Sequence, residues 1–304
     1  MTVVAVANPQ IAAALAGEPE LDIVEVSMSA DLPAAAAAAE VLIPGFLAGG
    51  AVGEAMAALP QLKLVQLMTA GAELWVGKTP PGVQLCTSRG AHGGATAEWA
   101  VGALLAVLHE FPQFVQRQAE GIWDRHETDE LAGKRVLVLG AGDLGTQVKR
   151  RLEGFDARVT LAARTARDGV ISIDQVPAVL GDHDVVIVMV PLTAATTGLV
   201  NAEFLAAMPD GAVLVNAARG QIVVTDALIA ELTAGRLRAT VDVTDPEPLP
   251  DGHPLWSTPN IFLTPHIAGA VPGSADRALA VVTENLRRFA AGEPLRNVVG
   301  ENGY

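Results

Sequence analysis

Cysteine is nearly absent from this chain of 304 residues: Cys86 stands alone. A disulfide framework and a cysteine-based metal cluster are therefore excluded, no metal site is expected, and a reducing compartment fits. No lysine or arginine precedes Lys63, so neither the basic start of a secretory leader nor an arginine-rich transit peptide is expected. No apolar run reaches the ~18–20 residues of a membrane span. Positive charge is also scarce, 20 bases against 34 acids for a net charge of −14, which is the wrong sign for a nucleic-acid or anionic-membrane binder. Half the residues are apolar and 18% are charged, which excludes general disorder. A soluble, acidic, cytoplasmic protein is the expectation, and the length favours two ordinary domains.

What is present is alternation. Short β-type runs at Val3–Ala7, Ile23–Val26, Val41–Ile43, Leu64–Leu67 and Val83–Leu85 are separated by alanine-rich helix formers such as Ala34–Glu40 and Gly53–Leu59. A long apolar helix follows from about Ala95 to Phe114, broken at Pro112, and then a polar connection from Glu120 to Gly133. A second alternating set has strands at Arg135–Leu139, Arg158–Ala162, Val185–Met189, Ala212–Asn216, Ala239–Val243 and Ile261–Leu263. The tail from Gly273 to Ala291 carries Ala278, Val281, Val282, Leu286 and Phe289 at helical spacing. Strands alternating with helices mean parallel sheets with crossover helices. Residues 1–62 hold seven acids and no base, so any anion site in that lobe must be built locally from arginine and backbone N–H groups.

The apolar run Val136–Leu139 leads directly into Gly140-Ala141-Gly142-Asp143-Leu144-Gly145. This G-x-G-x-x-G spacing at a strand-to-helix junction suits dinucleotide binding. The first glycine permits the tight turn, the second lets a pyrophosphate approach the backbone, and the third lets helix and strand pack closely. About twenty residues on, where a carboxylate would accept the ribose hydroxyls of NAD, the strand instead ends in Ala163-Arg164-Thr165-Ala166-Arg167. Two guanidiniums there suit a 2′-phosphate, so NADP is the expected cofactor, with NAD possible.

Three further segments leave strand ends: Asn216-Ala217-Ala218-Arg219-Gly220, Asp242 through Pro250, and Thr264-Pro265-His266-Ile267. Carboxyl ends of strands form the ligand crevice of open α/β sheets. An arginine, an acid and a histidine there suit hydride transfer beside a nicotinamide.

In these residues the chain resembles the D-isomer-specific 2-hydroxyacid dehydrogenase family. The ordered series runs from Ala97-Glu98, Leu131-Ala132-Gly133-Lys134 and the glycine loop through Val190-Pro191-Leu192-Thr193 and Thr197-Gly198-Leu199. It continues with Asn216…Arg219-Gly220, Asp242-Val243…Glu247-Pro248-Leu249-Pro250 and Pro265-His266-Ile267, and it covers nearly the whole chain. The resemblance implies an NAD(P)-dependent oxidoreductase, an NADP-preferring 2-ketoacid reductase of the glyoxylate/hydroxypyruvate reductase kind. It makes His266 the general acid and base, Glu247 its hydrogen-bond partner, and Arg219 the grip on the substrate carboxylate. It places Asp242 near the nicotinamide carboxamide and Pro191 and Thr193 on the adenine side. Thr96, Thr197, Ala217 and Ala218 join Arg219 and His266 as cofactor neighbours. Ala70, Gly71 and Ala72 become the loop whose backbone N–H groups hold the carboxylate. Ala70, where phosphite-oxidising relatives carry lysine, argues against that substrate. Glu247, where formate-oxidising relatives carry glutamine, argues against formate.

The stretch Thr87-Ser88-Arg89-Gly90-Ala91-His92 departs from the family pattern, which has asparagine near Thr87. Arg89 and His92 either add positive charge for a second anionic group or cap local turns. Cys86 reads as a packed thiol. The implied architecture is two Rossmann-like α/β lobes with a cleft between them. A flavodoxin-like substrate lobe comprises 1–96 and the helix returning in 271–304, and a dinucleotide-binding lobe spans 97–270. A homodimer through the cofactor lobe is expected, for which the apolar helix Ala95–Leu108 is suited, burial within its own subunit being the alternative. A different function remains open on the same fold: a non-catalytic, dinucleotide-sensing binding protein of the corepressor type, which keeps the same Arg–Glu–His set.

Overall fold

Residues 1–28, 32–45 and 52–300 are described by the structure, a computed structural model. Asp31 and the last four residues of the expected terminal segment lie outside them. The chain divides into two compact units, Met1–His92 with Pro272–Tyr304, and Gly93–Val271.

In the first unit the strands are β1 (Thr2–Val6), β2 (Leu21–Glu25), β3 (Val41–Ile43), β4 (Leu64–Gln66) and β5 (Gln84–Cys86). They pair in parallel in the order β2-β1-β3-β4-β5, which is the flavodoxin-like arrangement. One sheet face is covered by the terminal helix Ser274–Ala291. Its Ala278, Val282 and Leu286 pack with Val4, Ile43, Leu64 and Cys86 in one buried cluster. Buried Asn285 on that helix donates to Gln66 Oε1 at 2.8 Å, satisfying two polar side chains that would otherwise be costly in a core. The Cys86 thiol is fully buried, and burial pushes its pKa up to about 12. It is a packing residue, as read from the sequence. The alanine run forms a 3₁₀ turn at Ala34–Ala38 rather than a full α-helix; only Ala36 of it is buried, so little packing rewards further turns.

The second unit contains β6 (Arg135–Leu139), β7 (Arg158–Ala163), β8 (Val170–Ser172), β9 (Val185–Val188), β10 (Val213–Asn216), β11 (Arg238–Val241) and β12 (Ile261–Leu263). The order is β12-β11-β10-β9-β6-β7-β8, again parallel. Strand order reverses between β6 and β9, which makes the topological switch point where doubly wound sheets bind ligands. Residues 136–139 and all of β9 and β10 are buried, as expected for strands covered on both faces. Strand β8 escaped the sequence reading: only two apolar residues, Val170 and Ile171, stand between Gly169 and Ser172, which leaves no apolar run to read.

One expectation needs correction. Pro112 does not break a helix running to Phe114. One helix ends at Leu108, Glu110 takes a left-handed φ of 54°, and a new helix starts at Phe111 with proline in its first turn. Proline has no N–H to lose there. The apolar helix Gly93–Leu108 buries one face within its own unit and keeps Glu98, Trp99, Gly102 and Leu105 at least partly exposed. Its Ala97, Ala100, Val101, Leu104, Val107 and Leu108 are buried in its own unit with Val136, Val138, Ile187 and Val215. At roughly 1.5–3 kcal/mol per buried leucine or valine side chain, that face contributes to internal stability. The helix Phe111–Glu120 buries none of its residues, and Trp123 beyond it is 94% exposed.

Asp129 joins the connection before β6 to the end of the sheet, accepting from Lys134 at 2.8 Å and Arg238 at 2.9 Å. Burial raises its carboxyl pKa, but the bonds from Lys134 and Arg238 outweigh it, and the net shift is downward. A lowered carboxyl stabilises the fold above its unfolded value and loses that contribution as pH falls through the folded value. Urea unfolding of Asp129→Asn is therefore expected to show lower stability at neutral pH, by about 1 kcal/mol after solvent screening. The gap to the parent should narrow as the pH falls below about 4. An equal gap at all pH values would contradict this linkage.

Candidate active site

The glycine loop closes the end of β6 with the three roles separated geometrically. A Cβ on Gly140 (φ 116°) would lie 2.5 Å from the carbonyl oxygen of Met189 at the end of β9, and one on Gly145 would lie 1.8 Å from the carbonyl oxygen of Gly140. Neither position tolerates a side chain. A Cβ on Gly142 would meet nothing within 4 Å, so that face of the loop is open. The helix Asp143–Glu153 starts here with no side chain capping its first N–H groups, a combination that suits a phosphate. The residues present fit a dinucleotide pyrophosphate. Asp143 turns its carboxylate away, so that a Cβ on Gly93 would overlap its buried, unpartnered Oδ2. After β7, Arg167 donates to the carbonyl oxygen of Ala141 at 2.7 Å, which holds its guanidinium against the glycine loop. Arg164 and Thr165 lie on the same connection.

Beyond β9, the segment holding Pro191, Thr193 and Thr197 is tied by a residue absent from the sequence-derived set. The Thr196 hydroxyl donates to Pro191 O (2.6 Å) and accepts from Thr193 N (2.8 Å), while Thr197 donates to Thr193 O (2.9 Å). Thr96 is buried in the first turn of the helix Gly93–Leu108.

Three loops leave the adjacent strands β10, β11 and β12. After β10, buried Asn216 donates to Arg219 O (3.0 Å) and accepts from Ala218 N (3.1 Å), shaping the Ala217–Arg219 turn. Arg219 is half-buried, and its Nη1 donates to Ala218 O at 2.6 Å. A Cβ on Gly220 would sit 1.9 Å from the carbonyl oxygen of Thr244. The bare glycine thus lets the arginine loop lie directly on the loop that carries Glu247.

Glu247 reaches His266 after β12, with Oε1 2.5 Å from Nδ1. A carboxylate only accepts, so Nδ1 carries the hydrogen and Nε2 is left for a reactant. The His266 side chain is 49% exposed. His266 adopts φ 53°, left-handed backbone uncommon outside glycine and held here by its surroundings. Its N–H donates to Asp242 O at 2.7 Å. The Asp242 carboxylate, only 2% exposed, accepts from Thr264 Oγ1 (2.5 Å) and Ile267 N (2.8 Å) on Oδ1, and from Ala268 N (2.8 Å) on Oδ2. Asp242, read as a cofactor neighbour, is thus also the bracket of the histidine loop.

Comparison with known proteins identifies the family. Residues 101–268 match the model of the D-isomer specific 2-hydroxyacid dehydrogenase NAD binding domain. The chain belongs to this family. A glyoxylate reductase from Thermofilum pendens is 32% identical over 255 residues, 79% of this chain and 75% of that protein. The crystal structure of a D-isomer specific 2-hydroxyacid dehydrogenase from Xanthobacter autotrophicus Py2, in complex with NADPH and MES, is 31% identical with a TM-score of 0.86, covering 99% of this chain and 98% of that one. An NADPH-dependent glyoxylate/hydroxypyruvate reductase from Sinorhizobium meliloti, in complex with NADP and sulfate, is 27% identical with a TM-score of 0.85 over the whole of both chains. As a D-2-hydroxyacid dehydrogenase family member, the protein is an oxidoreductase with a Rossmann unit. No helix among the described residues is long and apolar enough to cross a membrane.

The motif spacing singles out Arg219, Glu247 and His266, but not Asn216 and Thr264, which shape or tie the loops around Arg219 and His266, nor Thr196, which ties the Pro191–Thr197 segment. Asn216, Thr264 and Thr196 are short polar side chains at strand ends or turns, the type that bonds nearby backbone. That residue type in that place was the available signal.

Proposed function

We propose that the protein reduces a 2-ketoacid to the D-2-hydroxyacid, and catalyses the reverse, with NADP(H) preferred and NAD(H) accepted. The Glu247–His266 pair beside the Arg219 loop carries this reading. A dihydronicotinamide held in this unit would supply the hydride for the keto carbon. His266 delivers the proton on Nε2 to the carbonyl oxygen, which becomes the hydroxyl, and in the reverse direction the same nitrogen takes that proton. Glu247 keeps Nδ1–H engaged and the ring oriented in both directions. Arg219 grips the substrate carboxylate and stabilises the negative charge growing on the carbonyl oxygen. The backbone around Gly142, Asp143 and Leu144 takes the pyrophosphate, and Arg164, Thr165 and Arg167 take the 2′-phosphate. The cofactors named with the Xanthobacter and Sinorhizobium structures support the NADP preference.

The test follows NADPH and NADH oxidation with glyoxylate, hydroxypyruvate, pyruvate and bulkier 2-ketoacids. Turnover with higher kcat/KM for NADPH is expected, and no turnover, or a clear NADH preference, overturns the proposal. Replacing Arg164 with alanine should raise KM for NADPH about tenfold or more, the factor of one charge-assisted bond, with little change for NADH. Equal damage to both cofactors would show the phosphate site misplaced.

We also propose a homodimer through the cofactor unit, on the face left open by the helix Phe111–Glu120. Phe111, Val115, Ile122 and Trp123 are all exposed there, a concentration of apolar surface that a second copy of the chain would cover. Light scattering should find a dimer for the parent and a monomer for Trp123→Glu. A parent monomer, or a variant that stays dimeric, would refute this surface.

A further inference from the structure

Glu247 stands in Asp245-Pro246-Glu247-Pro248-Leu249-Pro250, where every second residue is proline. The pyrrolidine rings fix φ at three positions and remove three backbone donors, and each proline also restricts the residue before it. The segment is therefore stiff and rich in carbonyl acceptors, and its anchors set where its middle lies. Most of it is exposed, with only Leu249 half-buried, so packing does little to place it. Its position depends on what holds its carbonyls.

Three side chains hold them, all within the unit Gly93–Val271. Thr225, the first residue of the helix Thr225–Thr233, donates Oγ1–H to Asp245 O at 3.0 Å. Thr244 donates Oγ1–H to Pro246 O at 2.8 Å, and its backbone N–H donates to Glu247 Oε2 at 3.4 Å. Trp256 closes the far end, donating Nε1–H to Pro250 O at 3.0 Å, a carbonyl that also accepts from His253 N at 3.2 Å. Trp256 ends the 3₁₀ turn Pro254–Trp256, which is pinned by buried Leu255. Trp256 itself is 56% exposed. A tryptophan left mostly in water adds little burial energy, and its hydrogen bond goes to the loop.

We infer that Thr225, Thr244 and Trp256 are positioning residues for the Glu247–His266 pair, holding the stiff loop where the Glu247 carboxylate reaches the imidazole. That carboxylate has one oxygen on His266 Nδ1 and the other on the Thr244 N–H, so a shift of the loop draws it away from the ring. The His266 side chain is half exposed, and packing around the ring does not replace that hold. A displacement of about 1 Å can cost a reacting group about a hundredfold in rate. The inference rests on the reading of Glu247 and His266 as the proton-transfer pair, and goes beyond it by naming the side chains that keep the pair together.

The experiment measures kcat and the KM for NADPH with the 2-ketoacid that the parent turns over fastest. Trp256→Phe, which keeps a ring and loses the N–H, and Thr225→Val should each lower kcat about three- to tenfold, the factor of one net hydrogen bond. Combined, they should lower it about ten- to a hundredfold, with the KM for NADPH within about twofold of the parent. Thr225→Ser, which restores the hydroxyl, should restore kcat, and Thr244→Val and Thr244→Ser should repeat that contrast. The deciding arm repeats the substitutions in a Glu247→Ala background. With no carboxylate left to place, each should then change kcat by less than about twofold, whereas a general loosening of the unit would add in full. If Trp256→Phe does not fold, the valine and serine variants carry the same comparison. Unchanged kcat in the single variants, serine variants as impaired as the valine ones, or full losses in the Glu247→Ala background overturn the positioning role alone. A parent-like kcat for Glu247→Ala itself overturns the reading of the pair and the positioning role with it.

Discussion

His266→Ala is expected to lose about 10²–10⁴-fold in kcat, the usual worth of a positioned proton donor, while the Kd for NADPH measured by fluorescence titration stays within about twofold, well under the tenfold of one charge-assisted bond. The reason is positional. The imidazole is fixed by Glu247 through Nδ1; on the proposed reading its other nitrogen serves the reacting oxygen, whereas cofactor binding is spread over the glycine loop and the arginines after β7. Glu247→Gln is a milder change that keeps a hydrogen-bond acceptor but removes the charge facing the ring, and should fall between parent and His266→Ala. A large rise in Kd with unchanged kcat would mean that His266 holds the cofactor rather than the proton.

The second large effect is expected at Asp242. Its carboxylate takes donors from Thr264, Ile267 and Ala268 in a fully enclosed position. Leaving a buried donor unpaired costs about 1–3 kcal/mol, and a reacting group displaced by 1 Å can lose about a hundredfold in rate. Asp242→Asn retains one acceptor but turns an NH₂ toward a donor, so kcat should fall about ten- to a hundredfold with loss of thermal stability. Thr264→Val, which removes one donor and leaves the two backbone bonds, should show a smaller loss of the same kind. If Asp242→Asn instead raised KM for NADPH and spared kcat, the residue would act on the nicotinamide, as family resemblance alone suggests, and not through the histidine loop.

These two sites show what the amino-acid order discloses and what it conceals. The parallel strands were legible because runs such as Val136–Leu139 and Val185–Val188 are apolar on both faces. The glycine loop was legible because each glycine answers to a separate steric demand, now visible at Met189 O and Gly140 O. Arg219, Glu247 and His266 were legible as a spaced series, yet their contacts were not. That Gly220 allows the arginine loop onto Thr244, or that Asp242 brackets a left-handed His266, depends on neighbouring strands separated by some 20 residues or more in the chain. Local features failed where context overrode propensity: the alanine run at Ala34–Ala38 lacked a buried face, Pro112 opened a helix, and β8 offered only Val170 and Ile171 as apolar residues. Which side chains of the apolar helix Gly93–Leu108 are buried was not legible, and only its packing with β6, β9 and β10 shows them.

The most direct test of hydride transfer uses NADPH carrying two deuterium atoms at C4 of the nicotinamide, incubated with the protein and a 2-ketoacid it turns over. Mass spectrometry of the product should find the D-2-hydroxyacid with one deuterium on C2, because the keto carbon takes its hydrogen from the cofactor and only the hydroxyl proton from His266. A 2-hydroxyacid bearing hydrogen from water at C2, or cofactor left unoxidised with every 2-ketoacid offered, would contradict the assignment.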